Sequence, residues 1–386
     1  MIKSDRVILM RVLKIGLRGD DVAQMQTALN NLGYNPGPID GIFGPRTQQA
    51  VIRFQRDRGL TPDGIVGILT YGALGIDFTK TTAIVATNIN YTYNVMEANI
   101  QELQRRYPFL EVGIAGQSIL GRNLYYLKLG RGPNQVFYNA SHHSLEWITT
   151  VLLMKFSENF LQAYVQNRSI RGYSIRKIWD MSSIYIMPMV NPDGINLVLN
   201  GLQRNNPFYE QLILWNRGST DFSKTWQANN RGVDLNHNYD ASWQLSKQAE
   251  LAYGISGPGP TRYSGPYPES EPESKAVADF TRAHDFQLIL AYHSQGEVIY
   301  WDYQGLAGPQ AQEIAKQFSN VSGYALDQTT GIASYAGYKD WFIQTYRRPG
   351  FTIEVGRGTN PLPISQFPKI YNDNEELLLL ASVITT

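Results

Sequence analysis

His143 and Glu146 stand three residues apart in Ser141-His142-His143-Ser144-Leu145-Glu146-Trp147, directly after the apolar run Val136-Phe137-Tyr138. A neutral imidazole and a carboxylate at this spacing can converge on one side of a turn and offer two ligands to a zinc ion. Hydrolysis needs more: a third ligand, a base for water and a positive group for the developing oxyanion. His293 qualifies as the third ligand. The run Phe286 to Tyr292 reads as a buried strand that delivers it at the carboxyl end, where ligands gather in open α/β sheets. A close pair plus one distant ligand leaves zinc a position for water, the catalytic rather than the structural arrangement. His142 competes with His143, but only His143 has the three-residue spacing to Glu146, and His284 closes a helix and reads as structural.

Glu354 lies in Gly350-Phe351-Thr352-Ile353-Glu354-Val355-Gly356, a strand too apolar to hold a carboxylate without purpose. It is the candidate base, with a salt bridge to Arg357 as the plainer alternative. Arg231, in the polar run Asn229 to Asn238, is the natural cation. Asp234 in the same run could orient a ligand histidine by accepting its other N–H. A run so dense in Asn, Asp and His also reads as a simple polar turn.

The elements that must position these residues alternate. Leu110–Val112 and Leu124–Leu129 look like strands; then come strand 136–140, helix 147–164, strand 183–190, helix 272–284, strand 286–292, helix 308–322, strand 350–355 and helix 373–384. The pattern predicts an α/β domain over 89–386, with a mixed, largely parallel sheet flanked by helices. Two long Gly/Pro/Asn-rich stretches, 201–230 and 254–270, interrupt it and are expected to be walls or lids of a site. Ahead of it, Asp40-Gly41-Ile42-Phe43-Gly44 with Thr47 recurs 23 residues later as Asp63-Gly64-Ile65-Val66-Gly67 with Thr70. Each copy is a tight turn feeding a helix. Val22, Met25, Leu29 and Leu32 share one helical face, and Ala50, Val51 and Phe54 another. A small three-helix all-α domain is therefore expected over 12–76, followed by a linker at 77–88.

A net charge of +1 removes any electrostatic case for nucleic-acid binding. With no cysteine, disulfides and thiolate chemistry are excluded. The apolar run Val7 to Met10 is too short for the core of a signal peptide, and nothing later approaches a transmembrane span, so no membrane insertion is expected. A monomer is expected.

Six ordered motifs carry a family resemblance: His143-Ser144-x-Glu146-Trp147-Ile148-Thr149, Asn191-Pro192-Asp193-Gly194, Gly232-Val233-Asp234-Leu235-Asn236, Ser270-Glu271-Pro272-Glu273, His293-Ser294 and Phe351-Thr352-x-Glu354, with Gly121-Arg122 before them. From about Tyr91 onward the chain resembles the zinc metallocarboxypeptidases, of which carboxypeptidases A and B are familiar members. The resemblance implies a carboxypeptidase-like fold and one Zn2+ per chain held by His143, Glu146 and His293. It implies Glu354 as general base and Arg231 as the electrophile that steadies the oxyanion.

The N-terminal segment resembles the peptidoglycan-binding domain of bacterial wall hydrolases at Gly19-Asp20-Asp21-Val22, Leu32-Gly33-Tyr34, both Asp-Gly turns and Phe54-Gln55. This implies binding to wall glycan. Where carboxypeptidases follow the substrate-clamping Asn with an Arg, this chain follows Asn236 with His237. His offers one weaker donor in place of a permanently charged fork. Lys339, in Gly337-Tyr338-Lys339-Asp340-Trp341, stands at the specificity position and, if it points into the pocket, favours a carboxylate on the leaving residue, a solvent-facing Lys being the alternative; Tyr335 is the nearest counterpart of the family's mobile Tyr.

Together these departures resemble the γ-D-glutamyl-diamino acid endopeptidase branch, which cuts between γ-D-glutamate and meso-diaminopimelate or lysine in peptidoglycan stem peptides. The competing expectations are a broad-specificity carboxypeptidase and a wall-binding protein with an inactive hydrolase domain. A place at the cell wall or outside the cell is expected, with work on recycled or spore peptidoglycan from inside as the alternative.

Overall fold

The computed structural model describes residues 11–76 and 83–384. The apolar run Val7 to Met10 and half of the expected linker, residues 77–82, lie outside the described residues. By internal contacts the chain falls into two compact units, one running to Ile84 and including Phe160–Arg176, the other Val85–Asn159 with Lys177 onward. Among the described residues, no helix is long and apolar enough to cross a membrane.

The first unit contains α1 (Asp20–Asn31), α2 (Pro45–Asp57) and α3 (Ile68–Ala73). Val22, Met25 and Leu29 of α1 pack with Ala50, Val51 and Phe54 of α2 in one apolar cluster. Leu32 does not join them: α1 ends at Asn31, and Leu32 as its C-cap is 41% exposed. The repeated Asp-Gly turns are closed by a repeated side chain. Gln26 Oε1 accepts from Gly41 N–H at 2.9 Å, and its amide nitrogen lies 3.1 Å from the Ile42 carbonyl and 3.2 Å from Thr47 Oγ1. Gln55 makes the same set with Gly64 (2.9 Å), Ile65 (2.8 Å) and Thr70 (3.2 Å). Gly41 and Gly64 both sit at φ +71°, the left-handed region that a Cβ disfavours.

The second unit is built on an eight-stranded sheet. Its strands are β1 (Glu111–Gln117), β2 (Asn123–Gly130), β3 (Asn134–Ala140), β4 (Ser182–Met187), β5 (Leu288–His293), β6 (Val298–Tyr300), β7 (Ala325–Asp327) and β8 (Gly350–Glu354), in spatial order β1-β2-β4-β3-β5-β8-β6-β7. The four central strands β4, β3, β5 and β8 are mutually parallel, whereas β1, β2 and β6 each pair antiparallel with a neighbour. The helices used below are α4 (Tyr93–Arg106), α5 (Ile148–Val165), α6 (Pro192–Asn200), α7 (Pro272–Arg282), α8 (Gly308–Ser322), α9 (Tyr338–Tyr346) and α10 (Phe367–Val383).

Because successive strand residues point to opposite faces, Phe137 and Tyr138 assign the layers. Phe137 meets Phe280 of α7 and Tyr338 of α9, whereas Tyr138 meets Phe156 of α5 and donates its hydroxyl to the Leu378 carbonyl of α10 at 2.8 Å. The registers Tyr138↔Leu290 and Leu290↔Phe351 continue the second face, on which Phe351 stacks edge-on to Phe318 of α8. His293 and Glu354 therefore share the other face with α7 and α9. Both layers are apolar at the sheet: Val136, Phe137, Tyr138, Ile289, Leu290, Phe351 and Ile353 are fully buried.

Candidate active site

The carboxyl ends of the central parallel strands open on one edge of the sheet. From β3 the chain turns through Ser141, at φ +59°, into a single 3-10 turn over Ser144–Glu146. Three residues per turn eclipse positions i and i+3, so His143 and Glu146 fall on one side. Hydroxyls tie the turn down. Ser141 Oγ lies 2.8 Å from Thr150 Oγ1, Thr149 Oγ1 donates to the Glu146 carbonyl at 2.7 Å, and Ser144 Oγ donates to the Trp226 carbonyl at 2.6 Å. β5 ends at His293, and β8 places Glu354 beside it in register.

His143, Glu146 and His293 form a group that could hold a metal ion, with one ligand atom from each all within 4.8 Å of one another. His143 Nδ1 is 2.8 Å from Glu146 Oε1, and His293 Nδ1 is 2.9 Å from Glu146 Oε2. The outer nitrogen of His143 faces Asp234 Oδ1 at 2.9 Å. Asp234 is itself held by the N–H of Arg262 (2.8 Å) and the Thr261 hydroxyl (3.2 Å). A carboxylate on the far nitrogen would fix that nitrogen as the N–H and free the Nδ1 lone pair for a metal ion standing between His143 and Glu146. Two imidazoles and a carboxylate, with a second carboxylate behind one imidazole, is a donor set that suits zinc.

The electrostatics agree. Burial would raise the Glu146 carboxyl, but the two imidazoles outweigh it and hold its pKa at about 2. Burial opposes charge on His143, yet Glu146 and Asp234 prevail and lift it well above the usual imidazole range. The cluster thus favours added positive charge at its centre, which a divalent cation supplies in place of protons. Glu354 moves the other way. Burial, reinforced by the Glu146 carboxylate, raises it well above the ordinary carboxyl range.

A cavity of about 390 Å³ opens on this group, and His143, Asp234, Asn236, His237, Lys339 and Glu354 all line it. His237 is buried, and burial lowers its pKa, so at neutral pH it is an uncharged group. Lys339 is buried with its neighbour: Nζ lies 2.5 Å from Asp340 Oδ1, a contact of charges without hydrogen-bond alignment, and donates to the Asp302 carbonyl at 2.6 Å. Asn236 accepts from the Tyr338 N–H at the start of α9, which locks α9 to this wall.

Two expected residues are not brought here. Arg231 is 45% exposed, faces Glu271 at 3.7 Å and does not line the cavity. Its neighbour Asn229 turns inward instead and spends its amide on Glu271 at 2.8 Å, which leaves Arg231 on the outer side of the loop. Tyr335 likewise does not line the cavity; it follows a 3-10 turn at Gly331–Ser334 and lies near Tyr303. The alternatives weighed for other residues also resolve. Arg357 pairs with Glu297 at 2.7 Å, leaving Glu354 to the cavity. His142 is not in the metal group: Nε2 bonds the Tyr239 hydroxyl at 2.9 Å and its ring stacks between His293 and Tyr338. His284 bonds the Phe280 carbonyl in an aromatic cluster.

Arg262, Thr261, Gln227 and Tyr300 line the cavity unannounced by any spacing. Arg262 and Thr261 belong to 254–270 and Gln227 to 201–230, so both long stretches supply walls. The remaining motifs are scaffolding. Asn191 caps α6 by accepting from Gly194 N–H at 3.0 Å and donates to the His142 carbonyl at 3.1 Å. Asp193 pairs with Arg122, and Glu273 accepts from the Ile119 N–H at 3.1 Å.

The zinc carboxypeptidase family pattern matches residues 96–377, and the peptidoglycan binding domain pattern matches residues 18–74. The chain is 45% identical over 284 residues to "Gamma-D-glutamyl-L-diamino acid endopeptidase 1" of Lysinibacillus sphaericus, covering 74% of this chain and 70% of that one. It is 27% identical to carboxypeptidase B of Rattus norvegicus over 70% of this chain and 65% of the relative. Among solved structures, bovine thrombin-activatable fibrinolysis inhibitor superposes with a TM-score of 0.55 at 22% identity, covering 75% of this chain and 95% of that one.

Proposed function

Since the chain belongs to the zinc carboxypeptidase family, we propose that it is a zinc peptidase that hydrolyses the γ-D-glutamyl-diamino acid bond of peptidoglycan stem peptides. What carries the reading beyond the family is the chemistry of the cavity. The residue after Asn236 is a buried, neutral His237 in place of an Arg clamp, and a buried Lys339 faces the space of the leaving residue. A leaving residue with a second carboxylate suits that cation, and a relaxed clamp suits substrates whose terminal carboxylate is not the main handle. Lys has three donors; one meets the Asp302 carbonyl, Asp340 supplies a counter-charge without an aligned bond, and donors remain for substrate. The relative at 45% identity is named for this activity, and the N-terminal module, which matches a peptidoglycan binding domain, supports a hold on the wall.

His143, Glu146 and His293 would hold the zinc. Bound zinc supplies Lewis acidity, polarising the scissile carbonyl and lowering the pKa of water. Glu354 accepts a proton from the attacking water and delivers it to the leaving amine, a shuttle suited to a carboxylate whose pKa is already raised. Asp234 holds the His143 ring, and Asn236 and His237 bind the leaving residue. Arg262 lines the cavity with its guanidinium over the Tyr253 ring at 5.9 Å, and it is the cation assigned to the oxyanion in place of Arg231.

The test is a digest. Zinc-loaded protein is incubated with L-Ala-γ-D-Glu-diaminopimelate and with a blocked ordinary dipeptide, and products are read by mass spectrometry. Free diaminopimelate from the first, with the second intact, is the expected result. Release of C-terminal residues from ordinary peptides with the stem peptide untouched would overturn it.

A further inference from the structure

A second cavity of about 670 Å³ lies between the helical segment Tyr209–Trp215 with its following turn and the loop Gly254–Thr261. It shares Thr261 with the active-site cavity. Thr261 donates to Gln227 Oε1 at 2.7 Å and to Asp234 Oδ2 at 3.2 Å, so the shared wall stands one residue behind His143. Lys339 and Asp340 enter the site cavity from α9, a different element from the one that carries this wall. With the leaving residue of a substrate placed toward Lys339, the wall at Thr261 leads from the site cavity to the second one.

The lining there has the chemistry of a carbohydrate site. Trp215, half-buried against the apolar cluster of Leu212, Phe222 and Trp226, gives the lining an aromatic side chain of the kind on which the C–H face of a pyranose packs. Ser219, Thr225 and Ser256 add hydroxyls; that of Thr225 donates to Asn216 Oδ1 at 3.0 Å and that of Ser219 to the Asp221 carbonyl at 3.3 Å, so these two are left to accept. Arg217 is exposed, and among the described residues it has no ion-pair partner. The wall of glycines and prolines, Gly257-Pro258-Gly259-Pro260, presents backbone without bulky side chains. It is anchored where Gln227 and Ala228 N–H both donate to the Pro260 carbonyl, at 2.8 and 2.9 Å.

From this juxtaposition we infer that the second cavity is a subsite for the amino-sugar end of the substrate, the N-acetylmuramyl residue that precedes L-alanine and γ-D-glutamate in an intact stem. The inference rests on the proposed cleavage of stem peptides. It makes the enzyme a reader of sugar-bearing chains and not only of free tripeptides.

The probe is N-acetylmuramyl-L-alanyl-D-isoglutamine, which lacks a leaving residue, against L-alanyl-D-isoglutamine, which also lacks the sugar. Both are titrated calorimetrically into the zinc-loaded full chain. The expected result is about tenfold tighter binding of the sugar-bearing probe. Gly257 offers the blocking variant: its φ is not in the left-handed region and a Cβ there meets no atom within 4 Å, so Gly257→Trp adds bulk to the wall without backbone strain. Gly257→Trp is expected to bring the affinity ratio to about one, and Arg217→Ala to reduce it severalfold. A ratio can be read even if a variant is less stable. Equal affinity of the two probes for the wild type, or a ratio that survives in Gly257→Trp, overturns the subsite. Absence of any cleavage of γ-D-glutamyl peptides would sink the proposed reaction while leaving the titration to decide the cavity.

Discussion

Glu354 and His293 are Cα partners in the parallel register of β8 and β5, so one strand pair presents a candidate base and a candidate metal ligand on the same face. The backbone closes the pair, with Val355 N–H donating to the His293 carbonyl at 2.8 Å. Their separation is therefore set by the ladder and not by loop conformation.

For that reason Glu354→Gln should remove the proton shuttle without disturbing the ligands. Turnover of the stem tripeptide is expected to fall by about 10²–10⁴-fold, while zinc content, measured by atomic absorption, stays at one ion per chain. A variant that loses its zinc would count against a base role for Glu354.

Asp234 acts on the metal through His143. Asp234→Ala is expected to weaken zinc about 10–100-fold in a chelator competition, with a smaller loss of kcat once zinc is saturating. Unchanged affinity would mean that the His143 ring is held by other contacts.

Lys339 and Asp340 are each nearly inaccessible at the side chain, so removing one leaves the other charge buried. Lys339→Met alone should cost about 3–5 kcal/mol, and Lys339→Met with Asp340→Asn much less. Both should lose selectivity for a diaminopimelate over an alanine leaving group, read as the ratio of kcat/KM values. Thermal unfolding of the two variants gives the stability comparison. A double variant as unstable as the single one would show the charges to be uncoupled.

Glu273 predicts a pH dependence of stability. Burial, with Asp193 and Glu271 adding their charges, pushes its carboxyl to about 8 from an ordinary 4.5. The folded chain thus holds a proton that the unfolded chain releases between pH 4.5 and 8. The stability from this group is fully present below pH 4.5 and is lost as pH rises toward 8. Between pH 6 and 8 the fall is of order 2 kcal/mol, seen as a declining Tm, and Glu273→Gln should flatten it. A wild-type Tm that holds level over that interval would contradict a buried, protonated Glu273.

The sequence made the centre of the site readable because its residues sit at strand ends, where short apolar runs point to them. Spacing and apolar runs single out His143, Glu146, His293 and Glu354 as candidates, and the ordered family motifs join them into one site. The resemblance does not carry Arg231 and Tyr335 to the cavity, because their positions depend on how a loop folds back, a matter of hydrogen bonds such as Asn229 to Glu271 that no periodicity encodes. Strand β4 stops at Met187, short of the expected 190, because Pro188 cannot donate to a ladder. α10 begins at Phe367 rather than 373, since Pro368 is tolerated in a first turn. β6 and β7, three residues each, are too short to leave a pattern, and the helical turn at Tyr209–Trp215 lay inside a stretch read as irregular. That Gln26 and Gln55 close the two turns is not legible from the repeat, because they sit 14 and 8 residues ahead of those turns.

The parallel register at β5 and β8 has one more consequence. A slip of one residue would turn Ile353 toward the water-filled side and drive Glu354 into the apolar layer against α8. The pairing of this strand thus decides at once whether the core is sealed and whether the base faces the metal ligands, so correct assembly and chemical competence are one event at this edge.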